Sequence, residues 1–448
     1  MTGTARSRHR SRGGSVPDVT IRKEGKTVSG LILGVDICDS YSQVSCFSAE
    51  KMAVEPVLLG ADETSCLIPT VLCKLRGSDR WLIGSEGYRR ALMNEGTMVD
   101  KLVKLLLRDG TATIEGVLYS AEDLLTLYLE RVLELPRRQY QTDEIAEVVF
   151  SLQQLDADLL DRLTRVCDRL GLPRSRVQFL SHTECFAYFA VSQSKDTFTN
   201  LVSAFDLTDG GLNYYEMKVL RGRRPMVLEA RREALEEAFD LDLLNTPLGE
   251  KMADTILSAC ADRLLQKKVI TSVYLTGEGF TSADWAPEFV RKLCNKRKVF
   301  LGQHLFADGA AFIAYDSTLP QSNYPYICLC EGRLASTISL YAVRGGKNEP
   351  LTLASAGSNW YEAKASALFI LDDVHTLEIL VTSFATQRVE TISLSLAELP
   401  ARPNKTTRIE VIVSFSSENH VTVRAIDRGF GELFPASGLS FRKDFLIS

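Results

Sequence analysis

The chain has 448 residues, of which 45% are hydrophobic and 24% charged, and its formal net charge is −5. This length predicts two to three domains with real cores, and the composition excludes a fibrous or largely disordered protein. No uninterrupted apolar run in the sequence approaches the length needed to span a bilayer, so we expect no membrane association and a cytoplasmic location.

The first 30 residues differ in charge from the rest of the chain. They carry seven Lys or Arg residues against Asp18 and Glu24, so their net charge is +5 and that of the remainder is −10. A stretch such as ARSRHRSRGG has no apolar periodicity, and we predict a disordered basic arm over residues 1–30. Nucleic acid could bind this arm and no other part of the chain. A solubilising tail is the simpler interpretation, because no aromatic residues are interleaved with the arginines.

The first predicted elements are a strand pair followed by helices. From Leu31, LILGVD is a short apolar strand, ICDSYS a polar turn and QVSCFS an alternating return strand, which together predict a hairpin. Residues 120–135 have leucines at helical spacing behind an N-cap serine and predict a helix. AEVVFSL then predicts a buried strand, and the apolar face of residues 155–170 predicts a helix that ends at Gly171.

A second set of elements follows in the same alternation. VQFLSHTECFAYFAVS predicts strand, turn and helix, and LVSAFDL with NYYEMKV predicts a second hairpin around a paired-glycine turn. We expect helices over 230–244 and 249–268, a strand in VYLTGEGF that ends in a glycine turn, and a further helix in FADGAAFIAYD. Two halves that each open on an aspartate-bearing hairpin predict an α/β domain over residues 31–318, with a cleft between the halves.

The pattern changes after a polar linker at residues 319–326. Segments such as STISLYAV, HTLEILVTS, TRIEVIVSF and HVTVRAID alternate apolar with polar residues. They predict an antiparallel, all-β sandwich over residues 327–448 with no helical lid after it. The ten cysteines are scattered through apolar stretches, and we interpret them as small buried hydrophobic residues in a reducing compartment.

The order of these motifs resembles that of the seventy-kilodalton heat-shock chaperones. In that family an actin-like ATPase domain, with two similar halves around a cleft, is followed by a peptide-binding β-sandwich. LGVDICDSYS and FDLTDGGLNYY look like the family's two phosphate hairpins, SHTECFAYFA and FADGAAFIA like its two crossing helices, and VYLTGEGF like its adenosine loop. TRIEVIVSFSSENHVTVRAIDRGFGE is similar to the late strands of the peptide-binding domain. The resemblance implies an actin-like α/β domain followed by a substrate-binding-like sandwich.

Carried over residue by residue, the resemblance implies a site for ATP or ADP with magnesium. Asp36 and Asp206 correspond to the two aspartates that hold Mg²⁺ through bound water, and Glu184 to the carboxylate beside the attacking water. Such groups suit phosphoryl transfer, which requires magnesium-ordering carboxylates and a residue that orients the nucleophile. The implied cofactor-binding positions are Asp36, Ser40, Asp206, Gly210, Gly211, Gly277 and Gly279. Read from the residues alone, the carboxylates could equally cap turns, and the glycines could serve positive φ angles.

Several positions depart from the family's phosphate-binding pattern. The first hairpin has Cys38, Asp39 and Ser40 where the family has threonines and glycines. In the second hairpin Thr208 and Asp209 replace part of the glycine run, and Glu278 lies between the glycines of the adenosine loop. Tyr88 stands at the position that looks like the catalytic lysine. One carboxylate about 6 Å from a phosphate charge costs roughly 3 kcal/mol at an effective dielectric near 20, or about a hundredfold in affinity.

These departures set the functional expectation. We predict a chaperone-like protein, or a scaffold that binds peptides or a protein partner through its β-domain, with weak or lost ATPase activity. The alternative is an active Mg-dependent ATPase with variant phosphate loops, which the three retained carboxylates favour.

Overall fold

The computed structural model describes residues 30–59, 66–209, 211–222, 225–237 and 239–447. The basic arm expected at the N-terminus lies outside these residues except for Gly30, and Gly210 lies outside them as well.

The chain up to residue 192 forms eleven strands and five helices. They are β1 Leu31–Ile37, β2 Tyr41–Ser48, β3 Ala53–Pro56, β4 Ile68–Pro69, β5 Leu72–Leu75, β6 Trp81–Ile83, α1 Gly84–Leu92, β7 Gly96–Val99, α2 Leu102–Leu107, β8 Thr111–Ile114, β9 Val117–Ser120, α3 Ala121–Tyr140, β10 Ile145–Leu152, α4 Ala157–Arg169, β11 Val177–Ser181 and α5 His182–Ser192. The helix predicted from residue 120 is confirmed as α3, and Ser120 and Asp123 form its capping box.

The chain from residue 201 to 317 repeats this alternation with fewer insertions. Its elements are β12 Leu201–Thr208, β13 Gly211–Leu220, β14 Met226–Leu235, α6 Pro247–Leu265, β15 Ile270–Thr276, α7 Pro287–Leu293, β16 Lys298–Leu301 and α8 Leu305–Ser317. The helices predicted over 249–268 and in FADGAAFIAYD are confirmed as α6 and α8.

The remaining elements are all strands. They are β17 Tyr326–Leu329, β18 Ser336–Arg344, β19 Lys347–Ala354, β20 Ala365–Ile370, β21 Thr376–Ser383, β22 Val389–Ser395, β23 Arg408–Ser417, β24 His420–Asp427 and β25 Ser440–Leu446.

Two sheets of the α/β region have the same strand order. The first runs β11-β10-β1-β2-β3, with β4 also paired to β2, and the second runs β16-β15-β12-β13-β14-β17, so the first five strands correspond. In each sheet the central strand pairs antiparallel with the next strand of the chain and parallel with a strand that follows a helical connection. The two halves predicted from sequence are therefore present as two sheets of matching topology.

Helices α5 and α8 pack against each other between these sheets, and glycine permits their close approach. A Cβ on Gly309 would lie 1.9 Å from the Cys185 carbonyl oxygen, and one on Gly34 would lie 2.0 Å from the Ala307 carbonyl oxygen. No other residue fits at such separations without moving the backbone. The cluster of buried apolar residues at this junction contains members of both sheets and both helices.

The β-domain is a sandwich of two antiparallel four-stranded sheets, β19-β18-β21-β22 and β20-β23-β24-β25. Alternate residues of its strands point inward and are buried, as the period-two pattern predicts. Its apolar core is continuous with that of the first α/β half. The sandwich also contacts β11 directly, because the Tyr361 hydroxyl donates to the Phe179 carbonyl and the Ser181 hydroxyl donates to the Glu331 carbonyl.

Two sequence expectations differ from the observed elements. The helix expected over 230–244 is wrong for its first six residues, which belong to β14 and pair with six residues of β13, 212–217. The alanines, glutamates and leucines there favour a helix locally, but pairing within the sheet overrides that preference. The expected domain boundary at residue 327 falls inside β17, which extends the second α/β sheet before the sandwich starts at β18.

Within the described part of the chain, no helix is long and apolar enough to cross a membrane.

Candidate functional site

The two predicted magnesium aspartates lie at equivalent places in the two sheets. Asp36 is opposite Ser151 of β10 and Gln43 of β2. Asp206 is opposite Thr276 of β15 and Asn213 of β13. Because each aspartate is near the end of the central strand of its half, the fold brings the two carboxylates close enough for the negative charge of Asp36 to raise the pKa of Asp206.

Asp36 is fully buried and lies beside a histidine and a cysteine. Its Oδ1 lies 2.7 Å from Nε2 of His182, the first residue of α5, and its Oδ2 lies 3.8 Å from the Cys38 sulfur. The Cys38 sulfur is 3.9 Å from the same histidine nitrogen. The His182 ring stacks on Phe306 of α8, with centroids 3.9 Å apart and planes 12° from parallel, so its orientation is fixed.

Asp206 is buried to the same degree but is less well satisfied. Its Oδ1 has no hydrogen-bond partner among the residues that the structure describes. Burial raises its pKa to about 7; the charge of His182 partly offsets this rise and the charge of Asp36 adds to it. Near neutral pH a substantial fraction of the Asp206 side chains therefore carries a proton.

The Glu278 carboxylate lies between the two hairpin turns. It accepts a hydrogen bond from the Ser40 hydroxyl in the first turn, and its Oε2 lies 3.4 Å from the Asp209 amide nitrogen in the second. Burial raises its pKa above the ordinary value of a glutamate. The neighbouring Asp39 has a different environment, since its carboxylate accepts the Lys104 amide at 2.9 Å at the start of α2. Glu278 therefore connects the two hairpin turns.

The predicted site glycines have structural roles in the described region. Gly277 has a φ of 92°, and a Cβ there would lie 2.3 Å from the Leu207 carbonyl oxygen and 2.7 Å from Asp206 Oδ1. A Cβ on Gly279 would lie 2.4 Å from the Leu207 side chain. Gly211 has a φ of 131° at the start of β13. Gly277 and Gly279 thus allow the loop after β15 to pack closely on β12.

Glu184 is held by an arginine of the β-domain. The Arg333 Nε lies 3.0 Å from each carboxylate oxygen of Glu184, its Nη2 also contacts Oε1, and its Nη1 donates to the Gly357 carbonyl at 2.9 Å. Glu184 is completely buried, and its backbone amide donates to the Ser181 hydroxyl, which caps α5. The carboxylate predicted to orient an attacking water instead joins the first α/β half to the sandwich.

Two family models match the chain. The model described as the C-terminal part of a family of unknown function, DUF5716, matches residues 53–331, and that described as a domain of unknown function, DUF8552, matches residues 333–447. The chain belongs to the DUF5716 family. None of the curated proteins matches it.

The matched ranges divide the candidate site. Glu184, Asp206 and Glu278 lie in the DUF5716 match, Arg333 is the first residue of the DUF8552 match, and Asp36 precedes both. The Glu184–Arg333 ion pair therefore connects the two matched regions.

Sequence reasoning missed the partners of the predicted carboxylates. His182 was visible only as a histidine inside the SHTECF motif, two residues before Glu184, and Arg333 as an arginine in a polar turn. Each partner is 146 or 149 residues away from its carboxylate in the chain, so no local spacing indicates the contact.

Proposed function

We propose that this chain is a chaperone-like protein of the cytoplasm that binds peptides or a protein partner through its β-sandwich and has weak or lost ATPase activity. Two sheets of matching strand order, with a cleft between them and an antiparallel sandwich after them, support an actin-like domain followed by a substrate-binding-like domain. The fold alone carries no activity, so the function is argued from the site.

The position of Glu278 is the observation that carries the proposal. A nucleotide bound as the resemblance implies would place its phosphates between the two hairpin turns. Glu278 already places a carboxylate there, in contact with Ser40 and near the Asp209 amide. Because a carboxylate about 6 Å from a phosphate charge costs roughly 3 kcal/mol, we expect nucleotide affinity to be about a hundredfold lower than without it.

The other carboxylates support the same conclusion. Asp36 is hydrogen-bonded to His182 and Glu184 is ion-paired to Arg333, so each would have to give up a buried partner before it could order magnesium or water. Breaking a buried ion pair in this way costs several kcal/mol.

The sandwich offers apolar surface for a partner. Leu368 and Ile370 are 60% and 55% exposed on β20, a strand that pairs only with β23 in the described sheet. An extended peptide can add to such an open edge through main-chain hydrogen bonds, while the exposed side chains supply apolar contact.

A thermal melt with ATP or ADP, with and without magnesium, tests the nucleotide part of the proposal, since a ligand that binds the native state raises its melting temperature. We expect no shift for the native chain at millimolar nucleotide, and a gained shift for Glu278→Gln. Glu288→Gln, which changes an exposed glutamate on α7, is the matched control and should behave as the native chain does.

Fluorescence anisotropy with labelled unfolded peptides tests the partner-binding part. We expect binding that is weakened in the Leu368→Ser/Ile370→Ser variant and kept in Val269→Ser, which changes a residue 74% exposed in the α/β region. Absence of binding to every unfolded peptide and of any co-purifying protein would contradict the proposal.

An active Mg-dependent ATPase is the second candidate, and one observation favours it. Asp206 Oδ1 is buried without a described partner, which suits a carboxylate that receives hydrogen bonds from magnesium-bound water. A magnesium-dependent melting shift and phosphate release in the native chain, both lost in Asp206→Ala, would establish this candidate and overturn the first. Phosphate release that is unchanged in Asp206→Ala would exclude it.

A further inference from the structure

Three different metal-ligand side chains converge at the end of the first hairpin. The Asp36 carboxylate, the Cys38 sulfur and Nε2 of His182 each offer one donor atom, and these atoms lie within 4.8 Å of one another. Asp36 and His182 are buried, whereas Cys38 is only partly so, which leaves a route from solvent to the cluster.

The separations between the donor atoms are close to those around tetrahedral zinc. With Zn–S of about 2.3 Å and Zn–N or Zn–O of about 2.0 Å, the edges of a tetrahedron measure roughly 3.3–3.6 Å. The observed separations are 2.7 Å for nitrogen to oxygen, 3.8 Å for sulfur to oxygen and 3.9 Å for sulfur to nitrogen. Side-chain adjustments of about half an ångström would therefore complete the geometry, while the stacking on Phe306 keeps the imidazole aligned.

The charges around the cluster also favour a cation. Four carboxylates act on Cys38 at this place, those of Asp36, Asp206, Asp39 and Glu278. Among the described residues that act on Asp206, Arg232 is a permanent cation, and it is itself 3.6 Å from Glu331. Asp206 Oδ1 is buried and unpartnered in the described region. Buried carboxylates are normally paired or bound to a metal, and a divalent cation would supply the missing charge.

We propose that the first hairpin is a transition-metal site, in which Asp36, Cys38 and His182 bind one Zn²⁺ ion and Asp206 is the neighbouring carboxylate. A thiolate and an imidazole select zinc over magnesium, which prefers oxygen ligands and octahedral geometry. The site does not depend on nucleotide binding, so it can be present whether or not the chain is an ATPase.

Metal binding at this cluster releases a proton. The Cys38 thiol gives up its hydrogen to solvent as the sulfur–zinc bond forms, and His182 binds through a neutral Nε2. Zinc affinity should therefore fall as the pH is lowered, because protons compete for the same atoms.

Cobalt and zinc titrations of the full chain, stripped with a chelator, test the site. We expect one equivalent of Co²⁺ to produce a thiolate-to-cobalt absorption band that zinc abolishes and that excess Mg²⁺ leaves unchanged. Cys38→Ala should lose the band and weaken zinc binding by about 100-fold or more, since loss of an outer-shell partner alone costs 10–100-fold. Cys46→Ala, which changes a buried cysteine of β2, is the matched control and should retain both properties.

A second pair of variants separates loss of the site from loss of the fold. His182→Asn should weaken zinc binding as Cys38→Ala does, whereas His304→Asn, at the partly buried histidine beside Gln43, should not. Zinc should raise the melting temperature of the native chain and of both controls, but not that of Cys38→Ala. Stripped native protein that takes up no zinc, or a cobalt–thiolate band that survives in Cys38→Ala, would overturn the proposal.

Discussion

The two halves of the α/β region place their carboxylates alike but neutralise them differently. Asp36 and Asp206 occupy the same register in sheets of the same strand order. In the first half, His182 lies within hydrogen-bond distance of Asp36, and Arg333 forms an ion pair with Glu184. In the second half, Asp206 Oδ1 has no partner among the described residues, and Glu278 has only neutral donors across the cleft.

This difference separates what the fold imposes from what the side chains add. The sheet topology fixes where the two carboxylates end, because each is near the end of a central strand. Whether a carboxylate at that position has a hydrogen-bond or charge partner depends on residues that other elements bring to it. In the first half, the buried carboxylates have partners within the protein. The second half keeps negative charge that can be neutralised by protons or by a bound cation.

The largest effect on stability should come from removing Arg333, the ion-pair partner of Glu184. Arg333→Ala leaves the fully buried Glu184 without its cation, and we expect a loss of about 3–5 kcal/mol in the free energy of unfolding, measured by urea denaturation. The sandwich should also detach more easily from the first half, seen as faster proteolysis near β17.

Two further variants show whether the loss of stability in Arg333→Ala comes from the charge pair itself. Lys51→Ala removes a cation from a pair in which Lys51 is 62% exposed, and it should change stability by less than about 1 kcal/mol. Glu184→Gln/Arg333→Met removes both charges and should recover much of the loss. Equal losses in the single and double variants would mean that packing of the arginine, not its charge, holds the two regions together.

The next largest effect is the pH dependence of stability that Asp206 of the second half causes. The pKa of Asp206 rises from 3.8 to about 7 on folding, so the folded state binds its proton more tightly than the unfolded state does. The stabilisation is present below pH 4 and is lost as the pH rises through 7, which amounts to about 4 kcal/mol. Asp206→Asn removes this dependence, and its stability relative to the native chain should increase from pH 5 to pH 8.

Unfolding of both proteins in urea at several pH values gives this difference directly. A difference that stays constant from pH 5 to pH 8 would contradict the elevated pKa. If added zinc lowers the gain of Asp206→Asn at pH 8, a cation rather than a proton is what neutralises the native carboxylate.

Much of the fold could be predicted from the sequence where one pattern dominates. The alternating strands of the sandwich and the helices α6 and α8 follow from periodicity and from their flanking residues. The prediction failed at β14, because ARREAL contains strong helix formers and the pairing with β13 that decides its structure is not a local property.

The site could be predicted only in part, for a related reason. The resemblance indicated Asp36, Asp206 and Glu184, and Glu278 stood out only as a departure from the family's pattern. The histidine beside Asp36 and the arginine paired with Glu184 lie 146 and 149 residues away in the chain, so these contacts appear only once the chain is folded. Asp36 and Glu278 thus lie near enough to Asp206 to raise its pKa, but the chemistry of these carboxylates depends on partners that the spacing did not reveal.

The smallest change in stability should come from Asp36→Asn. Its sign distinguishes the first half from the second. Asparagine can still accept a hydrogen bond from His182 but loses the charge, and we expect about 1 kcal/mol of destabilisation without metal, measured in urea at pH 8. Asp206→Asn should be stabilising under the same conditions. His182→Gln/Asp36→Asn completes a double-mutant cycle, in which the two single losses should not add because both remove one interaction.

Two changes with the same sign would break the comparison, since they would mean that the halves are neutralised alike. Adding zinc provides a second test of the Asp36→Asn variant. If Asp36 is a metal ligand, the native chain gains stability with zinc and Asp36→Asn does not, so the difference between them should grow well beyond 1 kcal/mol as the zinc concentration rises. A difference that zinc leaves unchanged would confine Asp36 to its hydrogen bond with His182, and the first hairpin would then be a structural pair with no metal.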